Sequence, residues 1–296
     1  MSDIIYAKFR EDKEAEPGYT RELIGLAVNE EMLKHTTVEE LDWYEKDGQT
    51  ITQVLRNTVK RIPNNDFLGK RMGDHYEWTT WKQGLDMVES LGLAFEEKNL
   101  CPEIDAEGKK YRTHGIISGN RMEWPITHLA NNDNCITTIP LYKTLGIEAI
   151  KHAISLTKIK TISLTSKWTL KFMDWKINDE TGDLATLKNL ICFDPITDEE
   201  REKAEKAGIS LFAYAELIKL GEEKKAEGKK KVSRTPDRNT VTMLCFTSGT
   251  TGMPKGVKIT HKMQLSGLKQ HNYLEDNVDT EHNAFGKMPI YSENDC

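Results

Sequence analysis

The most constraining feature of this chain is a ten-residue loop, residues 247–256, built from glycines and hydroxyl side chains with one lysine near its end. The apolar run 241–246 before it is typical of a buried strand. Residues 257–260 after it alternate between apolar and polar side chains, as a half-exposed strand does. The pattern predicts a strand, a solvent-accessible loop and a second strand, with no helix beginning at Lys255.

The composition of this loop suits a polyanion. Gly249, Gly252 and Gly256 let the backbone curl so that successive N–H groups point inward. The threonine and serine side chains add hydroxyl donors, and Lys255 adds a positive charge on a flexible stem. The loop is therefore predicted to bind a triphosphate, and the plainer alternative is a solvated surface turn.

The loop differs from the P-loop of nucleoside triphosphatases. That motif has a glycine directly before its lysine, a serine or threonine directly after it, and then a helix. Here Lys255 lies between Pro254 and Gly256, and strand-like residues follow. A phosphate loop of another class is expected.

Composition excludes several other classes of protein. The chain has 296 residues, is 38% hydrophobic and carries a net charge of -6, which is a globular profile and argues against nucleic-acid binding. No apolar run has the length of a membrane span, and residues 1–10 lack the apolar core of a signal peptide, so a cytoplasmic location is predicted. The five cysteines are scattered and the histidines lack ligand spacing, so no metal site or disulfide is expected.

Outside the loop, strand-like and helix-like segments alternate, which predicts an α/β fold with a mostly parallel sheet covered on both faces. A helix is expected to begin after Thr50 and to end at Pro63. The charged run 221–236 is interpreted as a solvated linker, with a basic patch for lipid headgroups or nucleic acid as the alternative. The other expected strands are 76–79, 114–119, 135–139, 161–164, 190–193 and 209–212, and the other helices lie near 87–95, 123–125, 148–156, 167–175 and 216–220.

Residues 247–257 resemble the signature loop of the adenylate-forming enzymes, which include acyl-CoA synthetases, luciferases and peptide-synthetase adenylation domains. Three further stretches resemble the long-chain fatty acyl-CoA synthetases: Leu68-Gly69 with 76–78, Asn120 to Trp124, and Pro140 to Gly146. Lys143 stands where that family usually has an aspartate.

The resemblance runs from about Thr50 to His261 and fades beyond, where Ser292 stands in place of a histidine. It implies that 50–296 form the N-terminal part of a truncated AMP-binding (adenylation) domain. Residues 1–49, which are charged and weakly periodic, are expected to wrap the domain surface. On this interpretation the chain is a fragment that is inactive by itself, because the family's later motifs and its small mobile domain would be absent.

The activity implied by the resemblance is that of a long-chain fatty acid–CoA ligase. Such an enzyme uses ATP and Mg²⁺ to convert a fatty acid to an acyl adenylate, and coenzyme A then displaces AMP. Lys255 is expected to be the catalytic counter-charge to the leaving pyrophosphate. The residues expected to hold the β- and γ-phosphates are Thr247, Ser248, Gly249, Thr250, Thr251, Gly252, Lys255 and Gly256.

Two alternatives remain open from the sequence. One is a non-catalytic nucleotide-binding fragment, and the other is an adenylate-forming ligase for another carboxylic acid, such as an amino or aryl acid. Peripheral attachment at the cytosolic face of the endoplasmic reticulum or another membrane is an alternative to a freely cytoplasmic protein.

Overall fold

The structure is a computed structural model that describes residues 7–9, 23–25, 50–106, 108–232, 234–247, 253–267 and 288–290. The chain divides into two compact units, Met1–Asp47 and Gly48–Cys296. In the first unit, β1 (Ala7–Phe9) pairs with β2 (Leu23–Gly25) in antiparallel fashion. The predicted wrapping segment 1–49 otherwise lies outside the described residues.

The second unit alternates strands and helices. A 3₁₀ turn spans Lys143–Leu145, and residues 261–267 are helical. No helix in the described ranges combines the length and apolar character that a membrane-spanning helix requires. The elements in chain order are α1 (Ile51–Arg61), β3 (Asp66–Met72), β4 (His75–Thr80), α2 (Trp81–Glu97), β5 (Ile104–Ala106), β6 (Lys109–Tyr111), β7 (Thr113–Ile117), α3 (Glu123–Asp133), β8 (Thr137–Pro140), α4 (Ile147–Thr157), β9 (Thr161–Leu164), α5 (Ser166–Ile177), β10 (Asn189–Cys192), α6 (Asp198–Ala207), β11 (Ser210–Ala213), α7 (Tyr214–Ala226), β12 (Val241–Thr247), β13 (Lys255–Thr260) and β14 (Met288–Ile290).

The central sheet has seven strands in the order β11-β10-β9-β7-β8-β12-β13. The neighbouring strands pair in parallel, except that β13 runs antiparallel to β12. The prediction of an α/β fold with a mostly parallel sheet is confirmed. Two smaller sheets accompany it, one formed by β14, β3 and β4 and the other by β5 and β6.

Side chains that alternate along the buried strands fill two cores, one on each face of the sheet. Ile116 and Ile191 pack with residues of α1, α2, α3 and α7. Their neighbours Ile117 and Leu190 pack on the other face with residues of α4, α5 and α6. Because successive residues of a strand point to opposite faces, a strand buried on both sides carries apolar residues at successive positions, as Ile116 and Ile117 do.

Local capping fixes where the first helices begin. The Thr50 side chain accepts a hydrogen bond from Gln53 N, as expected for the residue that caps α1. Thr80 and Gln83 form a reciprocal capping box at the start of α2. Replacing such a cap by alanine typically costs about 1 kcal/mol of stability.

The predicted strand 135–139 begins later than expected. Cys135 has a φ of 53°, in the left-handed region, and it lies in the turn between α3 and β8. It is half-buried and is therefore not the core strand residue that the apolar run indicated. The turn is held by Arg112, whose guanidinium donates to the Asn134 carbonyl over 2.9 Å.

The charged run 221–236 is not a solvated linker. Helix α7 continues to Ala226, and ion pairs with carboxylates of α2 and α3 are formed by Lys225, Lys229, Lys231 and Arg234. Lys225 lies 2.8 Å from Glu89 and Arg234 lies 2.9 Å from Glu96, both carboxylates of α2. The positive charges are thus used within the domain, which also disfavours a basic patch for lipid or nucleic acid.

Candidate functional site

The predicted phosphate loop joins the two strands of a β-hairpin. We call the end of the hairpin at which Thr247 lies opposite Lys255 the hairpin mouth. Thr247 ends β12 and pairs with Lys255, which begins β13, and Phe246 pairs with Gly256. Thr247, Lys255 and Gly256 are exposed, and the Thr247 hydroxyl donates to the Lys255 carbonyl over 3.4 Å. The predicted strand–loop–strand arrangement, with no helix at Lys255, is confirmed. The other candidates, Ser248, Gly249, Thr250, Thr251 and Gly252, lie outside the described residues.

The two faces of this hairpin have different environments. Directly opposed residues share a face and successive residues alternate, so Thr247 and Lys255 lie on one face and Phe246 and Gly256 on the other. Phe246 is 5% exposed and belongs to the core beneath α4, α5 and α6. Among the described residues, Lys255 forms no ion pair with a carboxylate. The mouth therefore presents a hydroxyl and, among the described residues, a cation without a carboxylate partner on the same face.

The loop after β8 borders the hairpin. Strand β8 runs parallel to β12, with Thr138 opposite Met243, so both strands end at the same edge of the sheet. The side chain of Tyr142 interacts with the Cys245 thiol, and burial raises the pKa of both groups. The sequence placed Tyr142 in a stretch of family resemblance without indicating this contact.

An ion-pair clamp occupies the same sheet edge farther along. Arg121, just after β7, contacts both carboxylate oxygens of Glu123 over 2.8 Å. Its remaining terminal nitrogen reaches Asp194 Oδ1, also over 2.8 Å, and Asp194 Oδ2 accepts the N–H of Ser166, the first residue of α5. Burial disfavours the charged guanidinium, but the hydrogen bonds that it donates to Glu123 and Asp194 raise the pKa of Arg121 above its ordinary value. We call Arg121, Glu123, Asp194 and Ser166 the Arg121 clamp.

The Arg121 clamp closes the position where a sheet of this topology usually binds ligands. The connection from β7 leads to β8 on one side, whereas the connection from β9 leads to β10 on the other, so the direction of winding switches between β7 and β9. Ligands of open α/β sheets commonly bind at this switch, often against a helix N-terminus. Here the Asp194 carboxylate already accepts the amide at the start of α5. The carboxylate of Asp194 therefore occupies the position at the start of α5 where an anionic ligand could otherwise bind.

A row of buried polar side chains crosses the sheet beneath α3. Ser163 bonds to His114 over 2.9 Å, His114 to Asn131 over 2.9 Å, and Asn131 to Thr138 over 3.0 Å. Thr138 in turn bonds to His128 over 2.9 Å. Burial lowers the pKa of both histidines to about 4, so both are neutral at neutral pH.

The row continues to the segment that follows β13. The side-chain amide of Gln264 lies 3.3 Å from His128, and His261 accepts the N–H of Ile51 at the start of α1 over 3.2 Å. Burial also lowers the pKa of His261 to about 4. These histidines join elements of the fold through hydrogen bonds in its interior, so we assign them no part in proton transfer.

The description "AMP-binding enzyme" belongs to the family model that matches this chain, over residues 55–294. The chain belongs to the family of AMP-binding enzymes. The match contains the hairpin, the Arg121 clamp and the histidine row, and it begins near the position where the sequence resemblance begins.

Individual relatives have more specific names than the family model. The chain is 31% identical to long-chain-fatty-acid–CoA ligase 5 of Rattus norvegicus over 76% of its residues, and 35% identical to fatty acyl-CoA synthetase B of Dictyostelium discoideum over 72%. The resemblance to long-chain fatty acyl-CoA synthetases is thereby confirmed. The matched part spans 31% and 30% of these two relatives' own lengths.

Solved structures agree on the fold. The adenylation domain of a carboxylate reductase from Mycobacterium chelonae superposes with a TM-score of 0.61 at 15% identity, covering 74% of this chain and 35% of that one. A fatty acyl-adenylate ligase from L. pneumophila, solved with acyl adenylate and pyrophosphate, gives 0.54 at 14% identity over 81% of this chain and 35% of its own. At such identities the likeness concerns the fold alone.

The chemistry that this AMP-binding chain offers in its described part is electrostatic. An exposed cation and a hydroxyl can meet the negative charge that develops on a leaving phosphate. The thiol at the hairpin, Cys245, has a raised pKa and is a poor nucleophile. Among the described residues no three His, Cys, Asp or Glu side chains are grouped to hold a metal ion.

Proposed function

We propose that the chain supplies the phosphate-binding region of an AMP-forming long-chain fatty acid–CoA ligase. In the first step a fatty carboxylate oxygen attacks the α-phosphorus of ATP and pyrophosphate leaves. In the second step the sulfur of coenzyme A attacks the acyl carbonyl, AMP leaves and the thiol proton is released. The nucleophile belongs to the substrate in both steps, so the protein needs only to bind, orient and neutralise charge.

The observation that carries this proposal is the pairing of Thr247 with Lys255 at the hairpin mouth, on one face and without a neighbouring carboxylate among the described residues. We assign the β- and γ-phosphates to this mouth, with Lys255 as the counter-charge to the leaving pyrophosphate. The proposed phosphate-binding set is that of the sequence: Thr247, Ser248, Gly249, Thr250, Thr251, Gly252, Lys255 and Gly256.

The proposed substrates are a fatty acid, ATP and coenzyme A. Mg²⁺ is proposed to accompany ATP because triphosphates are usually bound through it. The names of the rat and Dictyostelium relatives support a long-chain fatty acid as the carboxylate. No described residue is assigned to the metal ion or to coenzyme A.

A hairpin graft tests the role of this chain's own residues. Residues 241–260 would replace the matching hairpin of the rat ligase, and ATP–pyrophosphate exchange dependent on a long-chain fatty acid would be measured. We expect the graft to remain active and its Lys255→Ala variant to lose about a hundredfold in exchange, as for removal of one charge-stabilising donor. Lys255→Arg, which keeps the charge, is the matched control. Exchange that is the same with and without the lysine contradicts the proposal.

Exchange measured on this chain itself separates the alternatives, because the acid preference of the graft belongs to the rat ligase. Exchange supported by an amino or aryl acid and not by a fatty acid would indicate another adenylate-forming ligase. Nucleotide binding without exchange with any acid would indicate a non-catalytic nucleotide-binding module.

The remaining proposals follow from the substrate and from the domain assignment. Residues 50–296 are proposed as the adenylation-domain region and 1–49 as a segment that wraps it. A cytoplasmic location, or attachment at the cytosolic face of the endoplasmic reticulum or another membrane, fits a ligase that handles fatty acids. The absence of acyl-CoA synthesis by the 296-residue chain alone also stays a prediction, checked by fatty-acid-dependent AMP release with coenzyme A present.

A further inference from the structure

The last glycine of the loop, Gly256, has a different reason for being a glycine from the one the sequence indicates. A glycine is needed where φ is positive, where a ligand approaches the backbone, or where another part of the protein does. Gly256 is not among the described glycines with a positive φ. Backbone conformation therefore does not require it.

The direction of its missing side chain decides between the other two reasons. A Cβ built on Gly256 would meet Cγ, Cδ1 and Cδ2 of Leu244 at 3.1, 3.2 and 3.2 Å, closer than the ordinary contact range of 3.4–4 Å. Leu244 and Gly256 lie on the face of the hairpin opposite to Lys255. The Cβ would thus point away from the proposed phosphate side, so the glycine makes room for Leu244.

Leu244 is itself held in place. It packs against the core beneath α4, α5 and α6, in which Phe246, two residues along the same face of β12, is buried. A side chain added at position 256 can be accommodated only if Leu244 or the β13 backbone shifts. Lys255 is the first residue of β13, so such a shift would move it.

We infer that Leu244 is a positioning residue for Lys255: its isobutyl group packs over Gly256, fixes the start of β13 against β12 and so sets the direction of the lysine. This inference rests on the proposed function, because it gives Lys255 a phosphate to meet. Leu244 acts through the backbone and touches no phosphate.

The test uses the 296-residue chain and pyridoxal 5′-phosphate, which forms an imine with an accessible lysine that borohydride then fixes. Labelling of Lys255 would be followed by peptide mass spectrometry over a range of inorganic tripolyphosphate concentrations. Amide hydrogen exchange of β12 and β13, without ligand, provides a second readout that needs no phosphate binding. The variants are Gly256→Ala, Gly256→Val, Leu244→Ala and the double variants that combine Leu244→Ala with each glycine change.

We expect tripolyphosphate to protect Lys255 in the wild type. Its half-protecting concentration should rise a few-fold in Gly256→Ala and about tenfold in Gly256→Val, since overpacking is costly. Amide exchange at the start of β13 should rise in the same order. Leu244→Ala alone should also raise the half-protecting concentration and the amide exchange, because the start of β13 loses its packing. In the double variants the two effects should combine to less than their sum, which independent destabilisation would not do. Gly267→Ala is the matched control, because nothing lies within 4 Å of that position.

The outcomes separate the inference from the function. If both glycine variants and Leu244→Ala leave amide exchange and protection unchanged, or if the effects of Leu244→Ala and of each glycine change simply add, the inference is wrong whatever binds. If the wild-type lysine is labelled without protection by tripolyphosphate, the proposed function loses its support and the positioning role falls with it, even where the exchange pattern confirms the packing.

Discussion

The Arg121 clamp and the hairpin mouth lie at the same edge of one sheet and use their cations in opposite ways. At the clamp, Arg121 is held by two carboxylates, and one of them also accepts the first amide of α5. At the mouth, Lys255 is exposed and has no carboxylate partner among the described residues. The comparison teaches that position on an α/β sheet does not by itself make a ligand site. What matters is whether the protein has already neutralised its own charges there.

This difference should appear as a division between stability and binding. Removing a clamp residue leaves partly buried charges unpaired, which costs stability. Lys255 is exposed and forms no ion pair among the described residues. Its removal should therefore weaken phosphate binding more than it lowers stability.

Acid should produce the largest effect, because burial keeps three histidines of the row neutral in the folded protein. The pKa values of His114, His128 and His261 are lowered to about 4 in the folded protein, against an ordinary 6.5. The unfolded chain therefore binds more protons between these values, and the free energy of unfolding falls as pH falls from 6.5 towards 4. The slope should reach about 4 kcal/mol per pH unit if all three contribute.

Urea unfolding at pH 7, 6 and 5 measures this slope. A His128→Gln variant should lower it by about a third, whatever its own effect on stability at pH 7. Equal unfolding free energies at pH 7 and pH 5 would mean that the row tolerates protonation.

The Arg121→Ala variant should give the next largest effect. It leaves Glu123 and Asp194, which are 20% and 32% exposed at the side chain, without their cation. We expect a loss of about 3 kcal/mol in the free energy of unfolding. Arg201→Ala is the control, because its pair with Glu216 is long, at 3.9 Å, and exposed. A loss no larger than the control's would show that the clamp does not hold the sheet edge together.

Tyr142→Phe should have a smaller effect. It removes the hydroxyl that interacts with the Cys245 thiol and leaves the ring in place. We expect a loss of no more than about 1 kcal/mol, because Tyr142 is 44% exposed. Cys245→Ala combined with Tyr142→Phe should cost less than the sum of the two single changes. Additive losses would show that the contact contributes nothing to stability.

Lys255→Ala should change stability least, within about 0.5 kcal/mol, because the side chain is exposed. Thermal unfolding of this variant beside Arg121→Ala measures the division directly. A loss as large as that of the clamp variant would mean that Lys255 is part of the packing and is not free for a ligand.

The sequence predicted the hairpin and the strand–helix alternation because both signals are local. Hydroxyls and glycines between an apolar run and an alternating run indicate a loop between strands wherever they occur. The Cys135 turn was mispredicted because the apolar residues around it look like a strand, and its left-handed backbone leaves no mark in residue type.

The contacts that distinguish the two regions could not be predicted, since they depend on strand register. Asp194 lies 73 residues from Arg121, and Leu244 meets Gly256 only through the pairing of β12 with β13. Similarly, the charged run 221–236 shows its composition in the sequence but not the carboxylates of α2 that it contacts. Phosphate binding at the hairpin remains a prediction.

A crystal structure of the chain grown with Mg²⁺ and α,β-methylene ATP, a non-hydrolysable analogue, tests most directly whether the hairpin mouth binds the phosphates. We expect the phosphates to lie within hydrogen-bonding distance of the Thr247 hydroxyl and the Lys255 amine, with the Arg121 clamp intact. Phosphate density between Arg121 and the first amide of α5, with Asp194 displaced, would contradict it.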